Sequence, residues 1–99
     1  MLEIKKTIEG EKASFALSGR VDSVTAPQLE QAVMSSINDV TEITLDMKDL
    51  DYISSAGLRV LLAAQKQMNN QGKMTILNVN ETVMEIFDVT GFSDILTIE

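Results

Sequence analysis

The chain has 99 residues, 44% of them hydrophobic and 23% charged, with neither cysteine nor histidine. That length holds one domain with a real core, and the missing residues remove disulfides, thiolate metal sites, thiol nucleophiles and the commonest general base, so an enzyme would have to run on carboxylates, serines or lysines. A formal charge of −7, with the eight basic residues scattered along the chain, opposes binding to nucleic acid and to anionic membranes.

No apolar run approaches the roughly 20 residues a bilayer span requires, and the alternating start Met1-Leu2-Glu3-Ile4-Lys5-Lys6 reads as a strand and not a signal peptide. The expectation is a single cytoplasmic domain over residues 1–99, without membrane insertion. Residues Leu2–Glu9 and Ala13–Gly19 alternate in polarity around a Gly10-Glu11 turn and predict an N-terminal hairpin. After Arg20-Val21-Asp22-Ser23, Thr25 stands at a helix N-cap position with Gln28 three residues on and Pro27 in the first turn. Leu29, Ala32, Val33, Ser36 and Ile37 share one face of that helix; Gln28, Gln31 and Ser35 lie opposite, with Met34 towards the polar side.

Asn38-Asp39 ends the helix, and Glu42–Met47 is the next strand, followed by a connecting segment through Lys48-Asp49-Leu50-Asp51. A second helix is predicted from about Ser55 to Asn70, with Leu58, Leu61, Leu62, Gln65 and Met68 inward and Arg59, Ala63 and Lys66 outward. Lys73–Asn78 forms a further strand, Glu81–Thr90 a third helix closed by Gly91, and Ile95–Ile98 a short last strand. Met47, Met68 and Met74 read as core filler, while Met34 with Ala63 suggests an exposed apolar patch. The whole predicts an α/β fold, a mixed sheet of four to five strands with helices packed on one side. The junctions after Gly19 and after Ile53 are expected at the same sheet edge, bringing Asp22 within reach of Ser55.

The chemistry concentrates in Ile53-Ser54-Ser55-Ala56-Gly57-Leu58-Arg59, where two serines lie between a strand and a helix. Both serines can serve only as capping residues, or Ser54 can cap while Ser55 keeps a free hydroxyl in the first turn. A phosphate on Ser55 would be favoured there by unpaired N–H groups and the helix dipole, and would turn the surrounding surface negative. Ala56 and Gly57 leave that turn uncrowded for close approach by a partner. No histidine can activate Ser55 as a nucleophile, and no G-x-S-x-G elbow is present. Asp22 can organise an Asx-turn or act functionally. Asp46, Asp49 and Asp51 near the junction read as capping and solubilising residues ahead of a Mg²⁺ site, so neither metal nor cofactor is expected.

Ser18-Gly19-Arg20-Val21-Asp22 with Thr25-Ala26-Pro27, the segment Leu50–Leu62, and Phe87-Asp88-Val89-Thr90-Gly91-Phe92 together resemble the STAS domain. More narrowly, the chain is similar over its whole length to bacterial anti-sigma factor antagonists. The resemblance implies a partner switch. The unphosphorylated antagonist binds an anti-sigma factor that is itself a serine kinase, freeing a sigma factor; phosphorylation releases the antagonist, and a phosphatase resets it. The residue that matches the phosphorylated serine is Ser55, before Ala56-Gly57, and Asp22 matches the acidic loop position flanking it. Asp22, Thr25, Ser54, Ser55, Ala56, Gly57 and Arg59 are the expected partner-binding residues. The chain differs from the family pattern in Ser54, where Asp is frequent, and in Ala56, where Ser or Thr is frequent; many relatives also continue into a further helix beyond the position of Glu99. Two other readings are a STAS scaffold subunit of a signalling or lipid-transport complex without a phosphoswitch, and a small-molecule binder or carboxylate enzyme using Asp22, Asp46 and Ser55.

Overall fold

A computed structural model describes residues 1–99. Strands β1 (Leu2–Glu9), β2 (Lys12–Val21), β3 (Glu42–Ile53) and β4 (Lys73–Leu77) form one sheet in the order β1-β2-β3-β4. Helices α1 (Ala26–Met34), α2 (Ser55–Asn69) and α3 (Glu81–Thr90) follow β2, β3 and β4 in turn. β1 pairs antiparallel with β2 across a tight turn in which Gly10 adopts φ +61°, whereas β2–β3 and β3–β4 are parallel and need the helical crossovers. The expected hairpin, three helices and mixed sheet are all present.

The helices cover one sheet face. Ala13, Phe15, Leu17 and Val21 of β2 and Ile43, Leu45, Met47, Leu50 and Ile53 of β3 point into the core with Met74 and Ile76 of β4. Against them lie Leu29 and Val33 of α1, Leu61, Ala64 and Met68 of α2, and Val83 and Phe87 of α3. Residues between the inward ones, such as Lys5, Thr7, Ser14 and Ala16, leave the opposite face to solvent. One face buried and one wet is why β2 reads as a clean alternation.

Four features depart from the sequence expectation. The first helix stops at Met34 and not at Asn38-Asp39, and Ile37–Asp39 forms a separate 3₁₀ turn. The segment Lys48–Ile53 is no connecting loop but the second half of β3. Its inward residues step from Met47 to Leu50 to Ile53 because the strand is bulged. Ala16 pairs with Asp46 but Ser18 with Asp49, and Gly19 pairs with Leu50 but Arg20 with Tyr52. Each bulge spends an extra β3 residue and breaks period two. The last strand is reduced to one bridge, Ile98 beside Ile76, after a 3₁₀ turn at Phe92–Asp94, so the sheet has four strands. Met34 is half-buried against the core and forms no exposed patch with Ala63.

Candidate functional site

The register places Val21 opposite Ile53 as the last pair of β2 and β3. One residue on, the Ser54 N–H donates to the Val21 carbonyl at 2.8 Å. Both strands therefore leave the sheet at the same edge, side by side, and the Asp22 loop adjoins the start of α2 as the strand–helix alternation predicts.

Asp22 builds its own loop. Its Oδ1 accepts from the backbone N–H groups of Val24 and Thr25, both at 3.0 Å. The Thr25 hydroxyl lies 3.2 Å from the same oxygen and 2.9 Å from the Arg20 carbonyl, and it accepts from the Asp22 N–H at 2.9 Å. The Thr25 N–H is the chief cause that holds the Asp22 carboxyl below its ordinary value; the Val24 N–H and the Thr25 hydroxyl add to it, partial desolvation opposes it. A carboxylate kept ionised in this way is a poor general base at neutral pH. The Asx-turn is thus formed, and Thr25 is committed inward with no side-chain bond into α1, so the anticipated box with Gln28 does not close. The Gln28 amide donates instead to the Leu2 carbonyl at 3.1 Å, tying α1 to the edge strand.

The two serines divide their work as expected. Ser54 is the N-cap, with extended backbone at φ −90° and ψ 175°, and its Oγ accepts from the Gly57 N–H at 3.5 Å. Ser55 is the first residue of α2, exposed, and its hydroxyl takes no hydrogen bond within the chain. Gly57 is a correction. It is buried, and a Cβ there would fall 2.5 Å from Val21 Cγ1 and 2.7 Å from Ile53 Cγ1, so its missing side chain lets α2 seat on the two strand ends. The space at Gly57 is filled from within the chain and is not open for a partner's approach.

Ala56 is half-buried and Arg59 exposed, and both border a groove of about 240 Å³ between α2 and the start of α1. Ser23, Pro27 and Glu30 form one wall; Ala56, Arg59 and Val60 form the other. Sequence reading missed Ser23, Pro27 and Glu30, which look like ordinary polar helix surface until α2 is placed beside them. Val24, at the tip of the Asp22 loop, is 82% exposed. An apolar residue inside a predicted polar turn was the available signal for it.

No group of three acidic, histidine or cysteine side chains gathers anywhere in the fold to hold a metal ion. Asp46 is occupied structurally, its Oδ1 accepting from the Lys48 N–H at 3.0 Å and the Asn78 amide at 3.1 Å. No helix is long and apolar enough to cross a membrane.

A family model described as the STAS domain matches residues 3–99. The Bordetella bronchiseptica protein BtrV, named as a candidate anti-sigma factor antagonist, is 38% identical over 84 residues, spanning 83% of this chain and 72% of that one. An anti-sigma factor antagonist from Mycobacterium paratuberculosis has a TM-score of 0.89 at 20% identity, covering 99% of this chain and 85% of its own. SpoIIAA in its unphosphorylated form has a TM-score of 0.76 at 18% identity, with 100% and 87% covered. The phosphorylated form of SpoIIAA from Bacillus gives 0.75 at 19% identity, with 100% and 91% covered.

Proposed function

Because this chain belongs to the STAS domain family, within the anti-sigma factor antagonists, we propose that it is the antagonist of a partner switch controlled at Ser55. The unmodified chain binds an anti-sigma factor that is also a serine kinase and so frees a sigma factor. Phosphorylation of Ser55 ends that binding, and a phosphatase restores it. The chain itself is a cytoplasmic regulator and not an enzyme, and it binds neither nucleic acid nor cofactor.

One observation carries this reading: the Ser55 hydroxyl is exposed and unbonded at the mouth of α2, next to the loop built by Asp22. The neighbouring hydroxyls of Ser54 and Thr25 are both engaged within the chain. Two serines at this edge keep free hydroxyls, Ser55 on the first turn of α2 and Ser23 in the Asp22 loop, and of the two only Ser55 lies at a helix N-terminus, where a phosphate is favoured. The phosphate adds nearly two negative charges, which a helix N-terminus favours by about 0.3–1 kcal/mol, so the fold has no reason to change. A partner packed over α2 would instead have to bury a strongly hydrated dianion, at a cost of several kcal/mol if unpaired. Occlusion, not refolding, is the mechanism. The phosphorylated and unphosphorylated forms of SpoIIAA both share this fold.

The docking surface then comprises the Asp22 loop with Val24 at its tip, the first turn of α2 and the groove bordered by Arg59. The test is incubation of the purified chain with its cognate kinase and ATP, followed by peptide mapping by mass spectrometry. Modification at Ser55 is expected; modification confined to Ser23, Ser54 or Thr25, or none, overturns the assignment.

A further inference from the structure

We propose that Arg59 receives the phosphate placed on Ser55, so that modification both creates a dianion and withdraws the groove's cation. This rests on the reading of Ser55 given above. Ser55 and Arg59 are both exposed and stand four residues apart on α2, which puts them on one helix face. Helical side chains lean towards the N-terminus, so the long Arg59 side chain extends over the turn that carries Ser55. Nothing bulky intervenes, since Ala56 is small, Gly57 has no side chain and Leu58 is turned into the core.

Arg59 is also uncommitted. The chain's ion pairs are Lys12 and Lys73 on Glu42, and its other arginine, Arg20, stacks 4.9 Å from the Tyr52 ring centroid. No carboxylate lies within ion-pair distance of the Arg59 guanidinium. A planar fork of donors suits a phosphate, and an anion four residues N-terminal to a cation is the favoured order on a helix.

The groove gives the pairing its consequence. Glu30 and Arg59 are the only charged residues bordering it, one on each wall, so the groove is neutral before modification. Once Arg59 turns to the phosphate, Glu30 is left without an opposite charge, and a partner matched to the neutral groove loses a cation as well as meeting the dianion. Ser54 could not use Arg59 in this way. It lies one residue further back, and its hydroxyl is turned into the cap.

The test uses the full chain with phosphoserine encoded genetically at position 55, titrated by ³¹P NMR, beside the same protein carrying Arg59→Gln. The second phosphate ionisation of phosphoserine is ordinarily near 6. In the wild-type background it is expected to lie about 0.3–1 unit below its position in Arg59→Gln, with the gap narrowing at high salt. Asp22 in the adjoining loop and Glu30 across the groove are common to both proteins, so the difference isolates Arg59. Coincident titrations, or a lower value in Arg59→Gln, overturn the pairing. Because the phosphoserine is encoded, no kinase is involved. Kinase mapping to another residue would defeat the assignment of Ser55 as acceptor and leave the pairing intact, and coincident titrations would do the reverse.

Discussion

Gly57 is packed so closely on Val21 that a methyl group on its Cα would fall 2.5 Å from Val21 Cγ1. This contact seats the first turn of α2 on the end of β2 and fixes where Ser55 emerges. Gly57→Ala must move α2 or the strand ends, since Val21 and Ile53 are fully buried and have nowhere to yield. We expect a loss of about 1–3 kcal/mol in denaturant unfolding, together with weaker partner binding although position 57 is buried beneath the surface.

Ser54 and Ser55 should separate cleanly by stability. Ser54→Ala removes the α2 cap and is expected to cost about 0.5–1 kcal/mol, the low end for a cap because its bond to Gly57 is long. Ser55→Ala removes a hydroxyl with no partner and should lie within about 0.5 kcal/mol of wild type. Urea denaturation of the two variants checks both, and equal losses would mean that Ser55 shares the capping role.

Asp22 gives a pH signature. Its folded-state value is lowered by the Thr25 and Val24 N–H groups, so its contribution is fully present above the ordinary carboxylate value of 3.8 and fades as the pH falls through the lower folded value. Asp22→Asn should therefore be less stable than wild type at neutral pH, with the gap constant down to about pH 5 and closing in more acid solution. Thermal melts of both proteins across that range test it. A gap that widens on acidification contradicts the assigned role.

Asn80 holds two elements at once. Its side-chain oxygen accepts from the Val83 N–H at 2.9 Å as the α3 cap, and its amide donates to the Leu50 carbonyl at 2.6 Å, within the bulged part of β3. Asn80→Asp keeps the acceptor and loses the donor; Asn80→Ala loses both. We expect Ala to cost about 1–3 kcal/mol and Asp to fall between Ala and wild type. Equal stability of Asn80→Asp and wild type would show that the Leu50 contact contributes nothing.

Where hydrophobic period and element agree, the sequence was readable. The alternation of Ala13, Phe15 and Leu17 revealed β2, and strand–helix alternation was enough to bring Asp22 and Ser54 to one edge. The second half of β3 was hidden because its bulges shift the buried positions to steps of three, a spacing that breaks the strand period of two. The Thr25 box failed because Asp22, three residues earlier, captured the same hydroxyl and N–H groups, a competition that spacing rules do not weigh. Gly57 was read as open space because sequence shows that a side chain is missing but not which neighbour fills the room. The groove was invisible for a similar reason, since its walls come from α1 and α2 and meet only in the folded chain.

The central claim is that one phosphate on Ser55 ends partner binding by occlusion. The most direct measurement is the dissociation constant of the cognate anti-sigma factor for the unmodified chain and for the chain with phosphoserine encoded at position 55, with backbone amide spectra recorded for both. The predicted result is a weakening of roughly 100-fold or more, about 3 kcal/mol, with spectral changes confined to the first turn of α2, the Asp22 loop and the adjoining groove. Equal affinities, or spectral changes throughout the sheet and core, would contradict it.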